Sequence, residues 1–207
     1  MKKTFNFVIL ILAVLVLPIT IFGCGKKENP PQVVGFSVGV QNAKYTMVDG
    51  KISIPYKPEV LGISAQDFKV SLNYDDGTSM VIRQNNINEI GYTFSTTVPN
   101  NKPANVGTYT VTIGYRDFSE QIITIEVVKA DFVIENIEWD YTIPYVYDGL
   151  EKIITLKNLP TGVSATYTGN RYTEPGKYTA VAQLSYIDQI NYNPLGLVSI
   201  EWEILSN

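Results

Sequence analysis

The stretch that decides the fold class is residues 198–204, VSIEWEI, in which apolar and polar residues alternate. Successive side chains of a β-strand point to opposite faces, so strict alternation predicts a strand with one buried face and one solvent-facing face. The same alternation recurs along residues 68–74, 92–98 and 108–113. Strands of this kind are typical of antiparallel sheets that cover a core on one side. The sequence therefore predicts an all-β protein.

Turn-forming residues separate the alternating stretches. Gly77 follows two aspartates and can take the positive φ of a tight hairpin turn. Further loops are expected at residues 85–86, 99–101 and 158–162. Short strands at intervals of about 8–12 residues favour a β-sandwich over alternating strands and helices. One helical turn is expected at residues 64–67, where Ser and Asp have the spacing of a capping box.

Two stretches share a layout, VGTYTV at residues 106–111 and PGKYTA at residues 175–180. In each, a glycine turn precedes an alternating strand, and a second alternating strand then ends the unit. We therefore divide the chain into two β-domains, residues 33–128 and residues 129–207. The junction at residues 127–132 contains no Gly, Pro or Ser. We expect one strand to continue directly into the next there, with little hinge motion.

The N-terminus has the pattern of an export signal. Two lysines precede an apolar run at residues 7–17, which is shorter than the roughly 20 residues that a membrane-spanning helix needs. We expect residues 1–23 to be a signal peptide that is removed. Cys24, the one cysteine of the chain, follows directly, and residues 24–32 form a polar, proline-containing tether.

Residues 21–24, IFGC, resemble the lipobox of bacterial lipoproteins, in which an aliphatic residue stands three positions before the cysteine and a small residue one position before it. Phe22 is bulkier than most residues at its position in that family. The resemblance implies a diacylglyceryl thioether on Cys24. It also implies a protein anchored in the cell membrane or the outer membrane and exposed outside the cytoplasm, because two acyl chains anchor a protein stably. The alternative is a free thiol in a secreted protein.

The second domain carries an ordered set of motifs: YDG at residues 147–149, LPTGV at 159–163, PGKYTA at 175–180 and IEWEI at 200–204. This order resembles the YDG-type Ig-like repeats, grouped with the MBG modules, that occur in tandem on bacterial surface proteins. The resemblance spans roughly residues 143–207 and implies a role as a spacer, an adhesin stalk or a display module. The first domain is similar to a generic bacterial Ig-like domain in its GTYTV strand and its layout. The likenesses together imply two tandem immunoglobulin-like β-sandwich domains after a lipoprotein signal peptide.

Composition narrows the function. The 207 residues include no histidine and one cysteine, and the formal net charge is -4. The absence of histidine excludes histidine-based catalysis and most zinc and iron sites, and a lone cysteine excludes an intrachain disulfide. The acidic balance argues against a nucleic-acid partner. We predict that the protein is not an enzyme and has no catalytic residues, no metal and no cofactor apart from the lipid on Cys24.

Clusters of acidic and amide side chains could form either a catalytic acid pair or a calcium site. Glu135, Glu138 and Asp140 lie in an alternating stretch, where a solvated strand face is favoured over the acid pair of a glycosidase. Oxygen ligands for Ca²⁺ occur at residues 75–77 and 85–89. Neither stretch has the spacing of an EF-hand, so turn formation is the favoured interpretation.

Aromatic residues are the remaining candidates for a binding site. Four of them share odd positions near the start of the second domain: Trp139, Tyr141, Tyr145 and Tyr147. Exposed rings would stack on sugars or anchor a protein partner, whereas buried rings would form the core, which is the favoured interpretation. The candidates for ligand binding are tyrosines near expected loops or strand ends: Tyr172, Tyr186 and Tyr192.

These observations predict a non-catalytic, lipid-anchored cell-surface protein that acts as a structural spacer or as an adhesion and interaction module. The alternative is a carbohydrate-binding accessory lipoprotein of a surface polysaccharide system. The expected partners are the membrane, through the lipid anchor, and an envelope glycan or another surface protein.

Overall fold

The computed structural model describes residues 29–41, 44–82 and 91–207. In these ranges the chain forms strands joined by turns and one 3₁₀ turn, so the all-β prediction is confirmed. The described strands lie in one compact unit, Gln32–Asn207. Among the described residues, no helix has the length and apolar character needed to cross a membrane.

Residues 33–128, here called the first half, contain two sheets. Their described strands are β1 Val33–Val40, β2 Met47–Val48, β3 Lys51–Pro55, β4 Phe68–Tyr74, β5 Ser79–Val81, β6 Tyr92–Thr96, β7 Gly107–Tyr115 and β8 Phe118–Val128. One sheet has the order β1-β4-β5 and the other has the order β2-β3-β8-β7-β6. The expected helical turn is the 3₁₀ turn Ala65–Asp67, where the Ser64 N–H donates to the Asp67 carboxylate at 2.8 Å.

Side chains from both sheets of the first half pack into one core. Strand β4 contributes Phe68 and Leu72, and the other sheet contributes Ile113 and Ile125, all of them buried. The intervening side chains of β4 are more exposed. The alternation in residues 68–74 therefore has the predicted cause, which is a strand with one face against a core.

Residues 129–207, here called the second half, contain one four-stranded sheet and two small strand pairs. The strands are β9 Glu138–Trp139, β10 Tyr145–Val146, β11 Lys152–Ile153, β12 Leu156–Lys157, β13 Val163–Thr168, β14 Arg171–Tyr172, β15 Gly176–Tyr186 and β16 Leu197–Leu205. The four-stranded sheet has the order β10-β16-β15-β13, and the pairs are β12-β9 and β11-β14. The predicted boundary between the two domains lies inside the unit Gln32–Asn207 and stays a prediction.

Trp202 is the largest buried side chain of the second half, with 2% of its surface exposed. It packs with Ile154, Ala180 and Ile204, and its indole N–H donates to the Gly169 carbonyl at 3.0 Å. A buried indole that keeps its hydrogen bond contributes a large apolar area without leaving a polar group unpaired. The strand predicted at residues 198–204 thus supplies the centre of this core.

The two halves repeat one strand arrangement. In the first half β8 pairs with β7 antiparallel and with β3 parallel, and in the second half β16 pairs with β15 antiparallel and with β10 parallel. In each half, a tyrosine near the start of the second-last strand donates its hydroxyl to the carbonyl four residues before it. The Tyr109 hydroxyl donates to the Asn105 carbonyl at 2.9 Å, and the Tyr178 hydroxyl donates to the Glu174 carbonyl at 2.7 Å.

The prediction that one strand continues directly through residues 127–132 is wrong. Strand β8 ends at Val128, and β9 begins at Glu138. Between them, Ala130 forms an isolated parallel bridge with Tyr192, so its backbone pairs with a loop far along the chain. Because that pairing is tertiary, the local alternation of residue types gives no sign of it.

Candidate functional site: the aromatic junction

Two of the three candidate tyrosines lie together where the halves meet. Tyr186 ends β15, and Tyr192 lies in the segment of residues 187–196, which we call the junction loop. The rings of Tyr186 and Tyr192 meet edge to face with centroids 5.1 Å apart. Two other predicted features, the lipidation residue Cys24 and the amide cluster at residues 85–89, lie outside the described residues.

Two further rings complete the cluster, which we call the aromatic junction: Tyr56, Phe132, Tyr186 and Tyr192. Tyr56 directly follows β3 in the first half, and its ring meets that of Tyr192 edge to face with centroids 5.3 Å apart. Phe132 stacks on Tyr186 at 4.1 Å and meets Tyr192 at 5.6 Å. Such aromatic pairs each contribute about 0.5–1.5 kcal/mol beyond the area that they bury. The junction therefore joins the two halves through packed rings.

A buried amide, that of Asn191, joins the same two halves through hydrogen bonds. Its side-chain oxygen accepts from the Val106 N–H at 2.9 Å, and its side-chain N–H groups donate to Asn105 at 3.2 Å and to Asp188 at 2.9 Å. Its backbone carbonyl accepts from the Ala130 N–H at 3.0 Å. Only 5% of the residue is exposed. A buried amide with all these partners costs little to desolvate and holds one geometry.

The junction loop is also bonded to the segment that follows β8. The Asn193 N–H donates to the Ala130 carbonyl at 2.9 Å, and its side-chain amide donates to Asp131 at 2.7 Å. The Lys129 ammonium donates to the Gln189 carbonyl at 2.7 Å. The loop is therefore bonded to the segment that leaves β8 at several successive positions, which restrains the connection between the halves.

A cavity of about 290 Å³ lies beside the aromatic junction. Tyr186, Tyr192 and Leu195 supply apolar lining, while Lys129 and Asp188 supply charges of both signs. Small-molecule sites have volumes of about 300–1,000 Å³, so this cavity is near the lower limit. Rings beside hydrogen-bonding groups are the kind of lining that a compact polyhydroxy compound such as a sugar residue can use.

Two tyrosines of the junction, Tyr56 and Tyr192, keep their protons at neutral pH. Burial raises the pKa of both Tyr56 and Tyr192, and the negative charge of Asp188 raises it further in each case. A phenol of raised pKa is a hydrogen-bond donor throughout the physiological range. The junction therefore presents neutral hydroxyls and not phenolates.

The third candidate, Tyr172, lies apart from the other two. The residue is 40% exposed. Its ring stacks on that of Tyr178 with centroids 3.7 Å apart, and both rings lie beside Trp202. Tyr178 is near the start of β15 and Tyr186 is at its end, a separation of about 26 Å along an extended strand. Tyr172 therefore belongs to no site shared with Tyr186 and Tyr192.

The four odd-position aromatic residues are core residues, as favoured from the sequence. Trp139, Tyr141, Tyr145 and Tyr147 are each half-buried and pack against the cluster around Trp202. The Tyr141 hydroxyl accepts from the Glu203 N–H at 3.0 Å.

Two of the acidic side chains, those of Asp76 and Asp140, accept hydrogen bonds from nearby turn and loop residues. The Asp76 carboxylate accepts from the Thr78 N–H at 2.9 Å and from its hydroxyl at 2.6 Å, and these bonds lower the pKa of Asp76. The Asp140 carboxylate accepts from the Thr155 N–H at 2.8 Å. In the part of the chain that the structure describes, no group of three or more His, Cys, Asp or Glu side chains is placed to hold a metal ion.

Sequence reasoning missed three residues of the junction: Tyr56, Phe132 and Asn191. Asn191 falls in the sequence Asn-Tyr-Asn, which the family resemblance includes, but residue type does not reveal that this amide is buried. No protein family matches the sequence, and a search of the curated proteins finds no relative.

Proposed function

We propose that this protein is a non-catalytic, lipid-anchored cell-surface protein that acts as a structural spacer or as an adhesion module. The observation that carries this proposal is the bonded junction between the halves. A spacer has to keep its modules in a fixed relative orientation. The buried Asn191 amide and the aromatic junction restrain the two halves in this way. Residues that restrain one module against the next are expected in a display device.

The anchor is supported by the sequence IFGC at residues 21–24, which follows an apolar run too short to span a membrane. A non-catalytic role is supported by the absence of histidine from the sequence. It is also supported by the acidic side chains Asp76 and Asp140, whose carboxylates accept hydrogen bonds within turns and loops. The resemblance of residues 143–207 to YDG-type Ig-like repeats favours a surface role.

Metabolic labelling with an alkyne analogue of palmitate tests the anchor. In a bacterial host that processes lipoproteins, the wild-type protein should incorporate the label and enter the detergent phase. Cys24→Ala removes the acceptor thiol and should abolish labelling, whereas the matched control Tyr172→Ala should label as the wild type does. Equal labelling of Cys24→Ala and wild type would refute the anchor.

A second candidate function is the binding of an envelope carbohydrate, and the cavity beside the aromatic junction favours it. The test is a glycan array probed with the purified protein, with calcium and then with a chelator. Gln189→Ala changes the lining but leaves the bond from Lys129 to the Gln189 carbonyl in place, and Tyr172→Ala changes an exposed ring elsewhere. A hit that is weakened by Gln189→Ala and unchanged by Tyr172→Ala would support this function. If neither Gln189→Ala nor Tyr172→Ala weakens the binding of the glycan, the glycan binds at another place on the protein.

A further inference from the structure

Strand β13, Val163–Thr168, is an edge strand of the four-stranded sheet of the second half. It pairs with β15 along one side, and no described strand pairs with its other side. Its inward residues Val163, Ala165 and Tyr167 pack against the core, while Ser164, Thr166 and Thr168 are exposed. An edge strand presents a row of backbone groups that another strand can use.

The register identifies the backbone groups that face outward. The Ile187 N–H donates to the Gly162 carbonyl at 2.9 Å, so Gly162 and Ile187 form a hydrogen-bonded pair. Hydrogen-bonded and non-hydrogen-bonded pairs alternate along an antiparallel ladder. Ser164, Thr166 and Thr168 therefore bond to β15, and the N–H and C=O groups of Ala165 and Tyr167 point away from the sheet.

Strand β13 lacks the features that protect edge strands. Its sequence VSATYT contains no charged residue and no proline, and its pairing with β15 has no bulge. Natural edge strands usually carry lysine, proline or a bulge, which block pairing with another chain. By contrast, the long edge strand β1 has a register shift and lies beside β8.

We propose that β13 is a self-association edge, at which it pairs antiparallel with β13 of a second copy about a two-fold axis at Thr166. In this arrangement Ala165 of each copy forms a hydrogen-bonded pair with Tyr167 of the other. Thr166 lies opposite its own counterpart in a non-hydrogen-bonded pair. The two four-stranded sheets then form one continuous sheet.

The strand is complementary to itself, which is why a second copy is the occupant. On the inward face the small Ala165 meets the large Tyr167. On the exposed face Thr166 meets Thr166, and Ser164 meets Thr168, and such Thr and Ser pairs stabilise neighbouring strands. With no charge in the strand, the two-fold axis brings no like charges together. This pairing is independent of the lipid anchor, so its test can succeed or fail separately.

Disulfide trapping of the full-length protein in intact cells tests the pairing, wherever the protein is located in them. Across the proposed axis the two Thr166 Cα atoms would be about 4.5 Å apart, as in a non-hydrogen-bonded pair, which is within the range that a disulfide spans. Thr166→Cys should give a disulfide-linked dimer on mild oxidation. The matched control is Thr179→Cys, an exposed threonine on the inner strand β15 of the same sheet. The wild type measures any dimer formed through Cys24.

The double variant Ala165→Pro, Thr166→Cys provides the second part of the cross-linking test. The Ala165 N–H points away from β15, so proline there removes no bond within the protein but removes one that the second copy needs. The dimer should be lost while the thermal unfolding transition is kept. The proposal is overturned if Thr166→Cys gives no more dimer than the wild type. Equal dimer from Thr179→Cys, or dimer that persists in the folded double variant, would overturn it as well.

Discussion

Asn191 connects the two halves through a buried, uncharged side chain. Its amide bonds to the first half at Asn105 and Val106 and to its own loop at Asp188. Salt bridges at the surface contribute little, whereas a buried amide that loses its partners leaves donors and acceptors unpaired. The hydrogen bonds from Asn105 and Val106 to the second half therefore depend on one uncharged side chain.

Replacing Asn191 with alanine should lower the free energy of unfolding by about 1–3 kcal/mol, because the partly buried Val106 N–H would lose its acceptor. The measurement is urea unfolding at pH 7. Asn193→Ala is the matched control, since Asn193 is exposed and exposed substitutions usually change stability by less than about 0.5 kcal/mol. A loss no larger than that of the control would show that the buried amide is not needed.

Tyr92 is a second residue whose environment makes a measurable prediction. Its hydroxyl is buried and has no hydrogen-bond partner among the described residues, and burial raises its pKa to about 12. An unfolded tyrosine titrates near pH 10. The folded state therefore retains the proton in the range where the unfolded state loses it, and the stability present below pH 10 declines as the pH rises from 10 to 12.

Tyr92→Phe should remove this component of the alkaline sensitivity. At pH 7 the variant should be at least as stable as the wild type, because the lost hydroxyl has no described partner. Between pH 10 and 12 its free energy of unfolding should fall less steeply than that of the wild type in parallel urea titrations. Parallel decline of the two proteins across that range would contradict the assignment.

At the scale of the elements, the end of β13 is set by Gly169. This residue has a φ of +66°, and an added Cβ would collide with the Thr179 carbonyl on β15. Its own carbonyl accepts the hydrogen bond from the Trp202 indole. The close approach of β13 and β15 at this point therefore requires glycine.

Gly169→Ala should lower the free energy of unfolding by more than the roughly 1–2 kcal/mol that a left-handed alanine costs, because the strands must also separate. Gly196→Ala is the matched control, since an added Cβ there has no heavy atom within 4 Å and its φ is not in the left-handed region. That variant should be neutral or slightly more stable. Thermal unfolding of the two variants measures the difference, and equal midpoints would count against the predicted collision.

At the scale of the whole unit Gln32–Asn207, three hydrophobic clusters lie in two separate places. One cluster belongs to the first half, and two belong to the second half, around Trp202 and around Leu184. Separate cores can unfold separately unless the contacts between them are strong enough to couple them. The aromatic junction and Asn191 supply that coupling.

Tyr56→Ala removes the one ring of the aromatic junction that belongs to the first half, and its contact with Tyr192 is worth about 0.5–1.5 kcal/mol. We expect calorimetry to show one unfolding transition for the wild type and two for this variant. Tyr172→Ala should keep a single transition, because its ring contacts lie away from the junction. A single transition in both variants would indicate that the halves are coupled by other contacts.

The strands and tight turns were predictable because their causes are local. Apolar and polar residues alternate along residues 198–204 because one face of this strand packs against the core and the other faces solvent. The hairpin at Gly77, whose φ is +81°, follows from the residue types of the turn itself. Tyr186 and Tyr192 could be selected as candidates because both lie near a strand end, but their packing against Tyr56 and Phe132 was not visible.

The sequence by itself determined the all-β character and the alternating burial along strands such as β4 and β16, because these depend on neighbours a few residues apart. Only the tertiary structure decided how the halves join. Ala130 pairs with the junction loop, and Asn191 reaches back across 85 positions to Val106. A polar side chain such as that of Asn191 becomes a buried contact only when distant segments supply its hydrogen-bond partners, and the pattern of residue types does not contain that information.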